Sequence, residues 1–278
     1  VAFQAVKYRS REKWTHRDLF RVSHPTSGDA EFQSVGAWVL RGETSESTPR
    51  IIQGFILAQA PGADIPALVR EYGLSWEMLP TEALNDPKVW DALMDANLPL
   101  GALLRQLPRL TRLGMFESMK AGSRTAEVVK RLTDKKEIER ARIHPIKVLE
   151  ALKTYSSGRS QKGSSTWTPV RSITDALDKA FYLAFKNVTP SGAKVLIGLD
   201  VSGSMDGGYY GYGEPSSAIL TPREATGAIA LVTAATEPET HVIGFTGGAN
   251  GGYGYGRKAS SAGNGKYGSV VTDLDNIV

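Results

Sequence analysis

Through the first two thirds of the chain, apolar residues recur at intervals of three and four, the period of one helix face. Leu103, Leu104, Leu107, Leu110 and Leu113 follow it. So do Ile146, Val148, Leu149, Leu152 and Tyr155, behind a Pro145 suited to a first helical position. Thr168 and Pro169 read as the N-cap and first residue of a further helix, with Val170, Ile173, Ala176, Leu177, Ala180, Phe181, Ala184 and Phe185 on one face. Residues 1–189 are therefore expected to be consecutive helices joined by short turns that carry Pro and Gly. Helix pairs of this length can stack into a solenoid in which each pair covers its neighbour's apolar face. No fixed-period repeat in the sequence adds support for that packing.

At Thr189-Pro190-Ser191-Gly192 the pattern changes. Lys194-Val195-Leu196-Ile197-Gly198-Leu199-Asp200 is an apolar run without polar alternation, as expected of a strand buried on both faces of a parallel sheet. Thr221-Pro222-Arg223-Glu224 is a capping box with Pro at the first helical position, opening a helix through Ala228, Ile229, Leu231, Val232 and Ala235. His241-Val242-Ile243-Gly244-Phe245 then reads as a second buried strand. Strand, helix and strand make one βαβ unit with an expected right-handed crossover. The pattern thus predicts an α part over 1–189 and an α/β part over 190–278, with Asp200 at the carboxyl edge of the sheet, where such folds bind ligands.

Charge sharpens this division. The 278 residues include 33 Lys and Arg against 29 Asp and Glu, a formal net charge of +4. Residues 1–190 carry 28 basic and 21 acidic side chains, whereas 191–278 carry 5 and 8. Within 101–190 the basic excess is steeper, 18 against 8, and includes Arg105, Arg109, Arg112, Arg124, Lys130, Arg131, Lys135, Lys136, Arg140, Arg142 and Lys147. Such a stripe is the electrostatic footprint of a phosphate-backbone binder. A solvated helical face balanced by Glu127, Asp134, Glu137 and Glu139 accounts for it equally well. The absence of cysteine excludes disulfides, thiol catalysis, iron–sulfur clusters and Cys-type zinc sites, and fits a reducing compartment. No run of about 18 apolar residues is present, and the start lacks a basic and then apolar leader, so a cytoplasmic protein without a membrane segment is expected. A start without Met and an end at Asp275-Asn276-Ile277-Val278 suggest a fragment of a longer chain.

Asp200-Val201-Ser202-Gly203-Ser204 places one carboxylate and two hydroxyls in a tight loop after the first strand. These are hard oxygen donors, and Gly203 lets the backbone turn so that Asp200, Ser202 and Ser204 converge. Such a set suits Mg²⁺, which accepts octahedral oxygen coordination and keeps water or borrows an oxygen from a partner. Hydrolysis is less well supported. Asp200 and Ser204 occupy the glycine positions of a G-x-S-x-G elbow, and the histidines lie scattered at 16, 24, 144 and 241. No P-loop, zinc or paired-carboxylate motif is present.

Leu199-Asp200-Val201-Ser202-Gly203-Ser204-Met205 resembles the metal-ion-dependent adhesion site (MIDAS) of a von Willebrand factor A domain. Four earlier segments resemble the Ro autoantigen or TROVE-domain ribonucleoproteins in their bacterial form, in the family's order. They are Lys7–Arg11 with Trp14–Arg21, Leu98–Arg105, Ala141–Pro145 and Ala176–Tyr182. The resemblance implies a TROVE segment of HEAT-like helical repeats over 1–189, followed by part of an A domain of Rossmann-type α/β fold over 190–278. It implies a non-catalytic RNA-binding scaffold for RNA quality control, with Y RNA on a basic outer surface, single-stranded ends of misfolded non-coding RNA in a central hole, and polynucleotide phosphorylase as a partner.

Carried over position by position, the family's Y RNA contacts fall on Lys7, Arg11 and His24, with His16 and Arg17 between them. Residues of this kind donate to phosphates and base edges. Arg105, Arg109, Arg112 and Arg142 extend the candidate RNA-binding set. Without the resemblance, His24 reads as a helix-end residue before Pro25 and Trp14 as a core aromatic. The family completes its metal site with a Thr and an Asp from later loops, which 191–278 does not supply, so the Asp200, Ser202 and Ser204 set is incomplete here. The alternative function is an adhesion module in which these three residues hold Mg²⁺ and a partner's carboxylate completes the shell. Glycine- and tyrosine-rich stretches at 207–213 and 247–268 read as surface loops. Their tyrosines, with Arg257, Lys258 and Lys266, could also stack on single-stranded RNA.

Overall fold

The computed structural model describes residues 1–8, 12–116, 120–161, 163–206, 219–246 and 270–271. The chain divides into two compact units, Val1–Pro99 with Leu113–Met115, and Leu100–Arg112 with Phe116–Val278. The change of character near residue 190 therefore falls inside the second unit.

The first unit is built from α1 (Ala2–Lys7), α2 (His16–Ser23), α3 (Ala30–Arg41), α4 (Arg50–Ala58), α5 (Ile65–Tyr72) and α6 (Pro87–Asp95). Their starts are chemically marked. Thr15 and Asp18 close a capping box on α2, and the carboxylates of Asp29, Asp64 and Asp86 accept from first-turn amides of α3, α5 and α6. Ile52, Val69, Met78 and Trp90 are essentially inaccessible to water, and the Trp90 indole donates to the Leu84 carbonyl at 2.9 Å. Gly54 lets α4 approach α5 closely, because a Cβ there would lie 2.4 Å from Tyr72 Cβ.

The second unit opens with α7 (Leu100–Arg112), α8 (Arg124–Thr133), α9 (Lys135–Ala141), α10 (Pro145–Ser156) and α11 (Arg171–Leu183). As the spacing predicts, α7 buries Leu103, Leu104, Leu107 and Leu110, and α10 starts at Pro145. The expected start of α11 is corrected. Its N-cap is Val170, not Thr168. The reason is tertiary: Trp167 N–H donates to the Gly158 carbonyl and Val170 N–H to the Tyr155 hydroxyl, so residues 167–170 are held out of the helix.

Beyond α11, β1 (Lys194–Asp200), α12 (Pro222–Thr236) and β2 (Glu239–Phe245) form the expected strand, helix and strand unit. β1 and β2 pair in parallel from Lys194 opposite Glu239 to Asp200 opposite Phe245, and β3 (Val270–Val271) adds antiparallel to β2. The Thr221/Glu224 capping box and Pro222 open α12 as predicted. Burial of these strands on both faces is corrected, since Leu196 is 67% exposed and Phe245 46%. The small core joins Leu199, Ala230 and Val242, with Ile197 and Val201 against it. Among the described residues α12 covers that face only, and the alternate residues face away. An ion pair ties this part to the helices before it, and two hydrogen bonds hold the turn that follows α11. Lys153 of α10 is ion-paired with Glu224 of α12, and Asn187 Nδ2 donates to the carbonyls of Ile138 and Ile143.

Candidate nucleic-acid interface

In the first unit, Lys7 ends α1 with its side chain largely covered. Its ammonium lies 3.7 Å from Glu77 Oε1 and over the rings of Phe3 and Tyr8, 5.5 and 5.6 Å from their centroids. An RNA phosphate would have to share this lysine with Glu77. His16 and Arg17 begin α2, with His16 half-buried and Arg17 exposed. His24 is the C-cap of α2 in the left-handed region, φ 42°, and is exposed, so its helix-end position leaves the imidazole accessible. Trp14 is corrected: it is 65% exposed, not a core aromatic, and it stands immediately before the helix that carries His16 and Arg17. Arg11 lies outside the described residues.

In the second unit, Arg105, Arg109 and Arg112 occupy i, i+4 and i+7 of α7, on the face opposite its buried leucines. Arg105 and Arg112 are exposed and Arg109 is half-buried. Burial, with the Arg112 charge adding to it, lowers the pKa of the Arg109 guanidinium, although a guanidinium stays protonated at any physiological pH. A partly desolvated like-charged pair of this kind is relieved by a bound anion. Arg142 is the exposed C-cap of α9 in the left-handed region, φ 49°.

The remainder of the basic stripe is mixed in character. Arg124 pairs with Glu127 and Lys147 with Glu150. Arg131 is 8% exposed and donates through Nε and Nη2 to Glu137 Oε1 at 2.9 and 2.6 Å. These pairs join helices or steady a face, so the balanced-face reading holds for them, whereas Arg105 and Arg112 of α7 are exposed. Lys186 was not singled out by its sequence. The close approach of the Lys135 ammonium lowers its pKa, which marks a second place where two cations crowd together. The two lysines are far apart in sequence, and no local pattern brings them together.

The Asp200 loop sits at the carboxyl end of β1. Ser202 N–H donates to Asp200 Oδ1 at 2.9 Å, and Ser202 Oγ lies 2.9 Å from Ser204 Oγ. The Ser202 amide, with its hydroxyl adding to it, holds the Asp200 carboxyl below its usual value, so it is ionised at neutral pH. The three oxygen donors therefore do converge, and their chemistry fits a hard divalent cation. Arg223 of α12 donates to the carbonyls of Val201 and Ser202 at 3.5 and 3.3 Å, fixing the loop's backbone from the helix side. Among the described residues there is no group of three or more His, Cys, Asp or Glu placed to hold a metal ion. Any cation at this loop would thus rest on one carboxylate and two hydroxyls. The glycine- and tyrosine-rich stretches at 207–213 and 247–268 lie outside the described residues.

The TROVE domain family model matches residues 71–154, which span α7 to α10 and the helices just before them. The chain is 31% identical over 294 aligned residues to RNA-binding protein RO60 of Caenorhabditis elegans, covering 88% of this chain and 44% of that protein. It is 37% identical over 250 residues to RNA-binding protein RO60 of Deinococcus radiodurans, covering 88% and 46%. The crystal structure of the Deinococcus radiodurans Ro (Rsr) protein superimposes with a TM-score of 0.73 at 36% identity, over 88% of this chain and 49% of that one. The chain spans less than half the length of each of these relatives. Residues 71–154 thus match the TROVE domain, and over 88% of its length the chain is similar in sequence and fold to Ro proteins.

Proposed function

We propose that the chain is a non-catalytic RNA-binding scaffold of a Ro ribonucleoprotein, acting in the cytoplasm in the control or degradation of defective RNA. The observation that carries this is the outward row of Arg105, Arg109 and Arg112 on α7, inside the segment that matches the TROVE domain. Its charge suits phosphates, and the relatives are named as RNA-binding proteins. The partners in this reading are Y RNA-like RNA and misfolded or single-stranded non-coding RNA, with polynucleotide phosphorylase as a protein partner. The helical part is then a HEAT-like segment and the α/β part the opening of an A domain. Lys7, Arg11, His16, Arg17 and His24 are the residues that would contact structured RNA in this reading. Alanine at Lys7, Arg11 and His24 together is expected to weaken binding of a Y RNA-like stem more than of a single-stranded tail, in a variant whose helical circular dichroism is unchanged. Equal loss for both RNAs would contradict a dedicated face.

A second reading, Mg²⁺-dependent capture of a partner protein, is supported by the convergence of Asp200, Ser202 and Ser204. These residues would hold the ion, which would offer a Lewis-acidic position to a partner's carboxylate. Partner capture that needs Mg²⁺ and disappears in Asp200→Ala supports this reading, and capture that persists in chelator rejects it.

A further inference from the structure

Tyr155 is completely buried near the end of α10, and three separated stretches of chain hydrogen-bond to it. Its hydroxyl lies 2.9 Å from Thr111 Oγ1 of α7. Because the Thr111 proton is directed to the Leu107 carbonyl, the Tyr155 hydroxyl donates to Thr111 and accepts from Val170 N–H at 3.1 Å. Its carbonyl accepts from Gly158 N–H at 3.3 Å and from the Trp167 indole at 2.8 Å. Thr111, Gly158 and Val170 are each followed directly by an arginine: Arg112, Arg159 and Arg171. All three arginines are exposed.

The chain between α10 and α11 folds back on itself. Arg159 pairs with Thr166, Ser160 N–H donates to the Ser165 carbonyl and Trp167 N–H to the Gly158 carbonyl. Gly158 is required there, since its φ is +66° and a Cβ would lie 2.9 Å from the Trp167 carbonyl oxygen. Ser165 accepts from Arg112 Nη1 at 3.0 Å, which fastens this hairpin to the end of α7. Among the described residues, the carboxylate within ion-pair distance of these guanidiniums is Asp175, 4.0 Å from Arg171 on an open surface.

We propose that Arg112, Arg159 and Arg171 form one phosphate-binding platform for the backbone of single-stranded RNA, with Tyr155 as the buried post that positions all three. This rests on the RNA-binding reading above and adds to it the α10–α11 hairpin and the start of α11. Their planar forks match phosphate oxygens, so less freedom is lost per hydrogen bond formed than with a flexible ammonium.

The test is the binding of a fluorescein-labelled single-stranded oligoribonucleotide of mixed sequence to the whole chain, followed across a salt series. With Arg112, Arg159 and Arg171 all changed to alanine, affinity at low salt is expected to fall at least about tenfold. The slope of log K against log salt should then shallow by about 2, the value for three lost contacts on a single strand. Lysine at all three positions should restore most of the slope. Tyr155→Phe keeps every charge but frees Val170 and Thr111, and should weaken binding with a smaller change of slope. If the wild-type chain binds with a steep slope and the triple alanine variant binds identically, the platform is refuted while the RNA-binding reading stands. If the wild-type chain shows no salt-dependent binding, both fail.

Discussion

Tyr155 illustrates how one polar atom can decide local architecture. Its hydroxyl is buried, which raises its pKa, while the bonds with Thr111 and Val170 act in the opposite direction. Tyr155→Phe would leave the Val170 amide without its acceptor, at a cost of about 1–3 kcal/mol, and the thermal midpoint is expected to fall accordingly. An unchanged midpoint would show that water replaces the hydroxyl. Gly54 raises the reverse problem. Alanine is the better helix former by about 1 kcal/mol, yet its Cβ would meet Tyr72 Cβ and not the tip of a mobile side chain. Gly54→Ala is therefore expected to lower the midpoint in spite of propensity, and a rise would mean that α4 and α5 part easily. Neither constraint is legible in the sequence. Thr111 lies 44 residues from Tyr155 and Val170 lies 15, and Gly54 looks like any helix glycine until its neighbour is known.

The elements that were legible are those whose signals are local. Pro145 and the Thr221/Glu224 box mark the starts of α10 and α12 through bonds within one turn, and both starts lie where the sequence puts them. The start of α11 lies later than its local signal because Tyr155 and Gly158 hold residues 167–170 from outside. The strands were recognised as apolar runs, but a run cannot say whether one face or both will be covered. The row on α7 was readable from spacing alone, while the pairing of Arg131 with Glu137 was not.

Glu224 acts twice, in its capping box and against Lys153. The Lys153 partner, opposed by burial and helped by Thr221, holds its carboxyl below the usual 4.5. Because the folded value is depressed, this contribution is complete above the unfolded pKa and is lost as pH falls through the folded one. Protection of α12 amides from hydrogen exchange is therefore expected to drop in mild acid below about pH 4.5 ahead of α7, whose buried leucines do not titrate. Glu224→Gln should remove that difference, and a persisting difference would place its cause elsewhere. Thr221→Ala should cost about 1 kcal/mol through loss of the cap, read as a lower thermal midpoint.

For the molecule as a whole, the formal charge of +4 is the remainder of a basic helical part and an acidic α/β part. The family resemblance lay in motifs spread along nearly the whole chain, and relatives matching 88% of it bear the resemblance out. The match covers less than half of each of those relatives, so the chain corresponds to one section of their length. The outward arginines lie in its second unit, and Lys7, His16, Arg17 and His24 in its first. We propose that this section alone holds RNA through its phosphates. The most direct measurement is the affinity of the chain for single-stranded RNA by fluorescence anisotropy between 50 and 200 mM salt. Neutralisation of about five or more phosphates predicts a log–log slope of about −3.5 or steeper. Affinity that stays level across that range, or is undetectable at its lower end, would contradict the account.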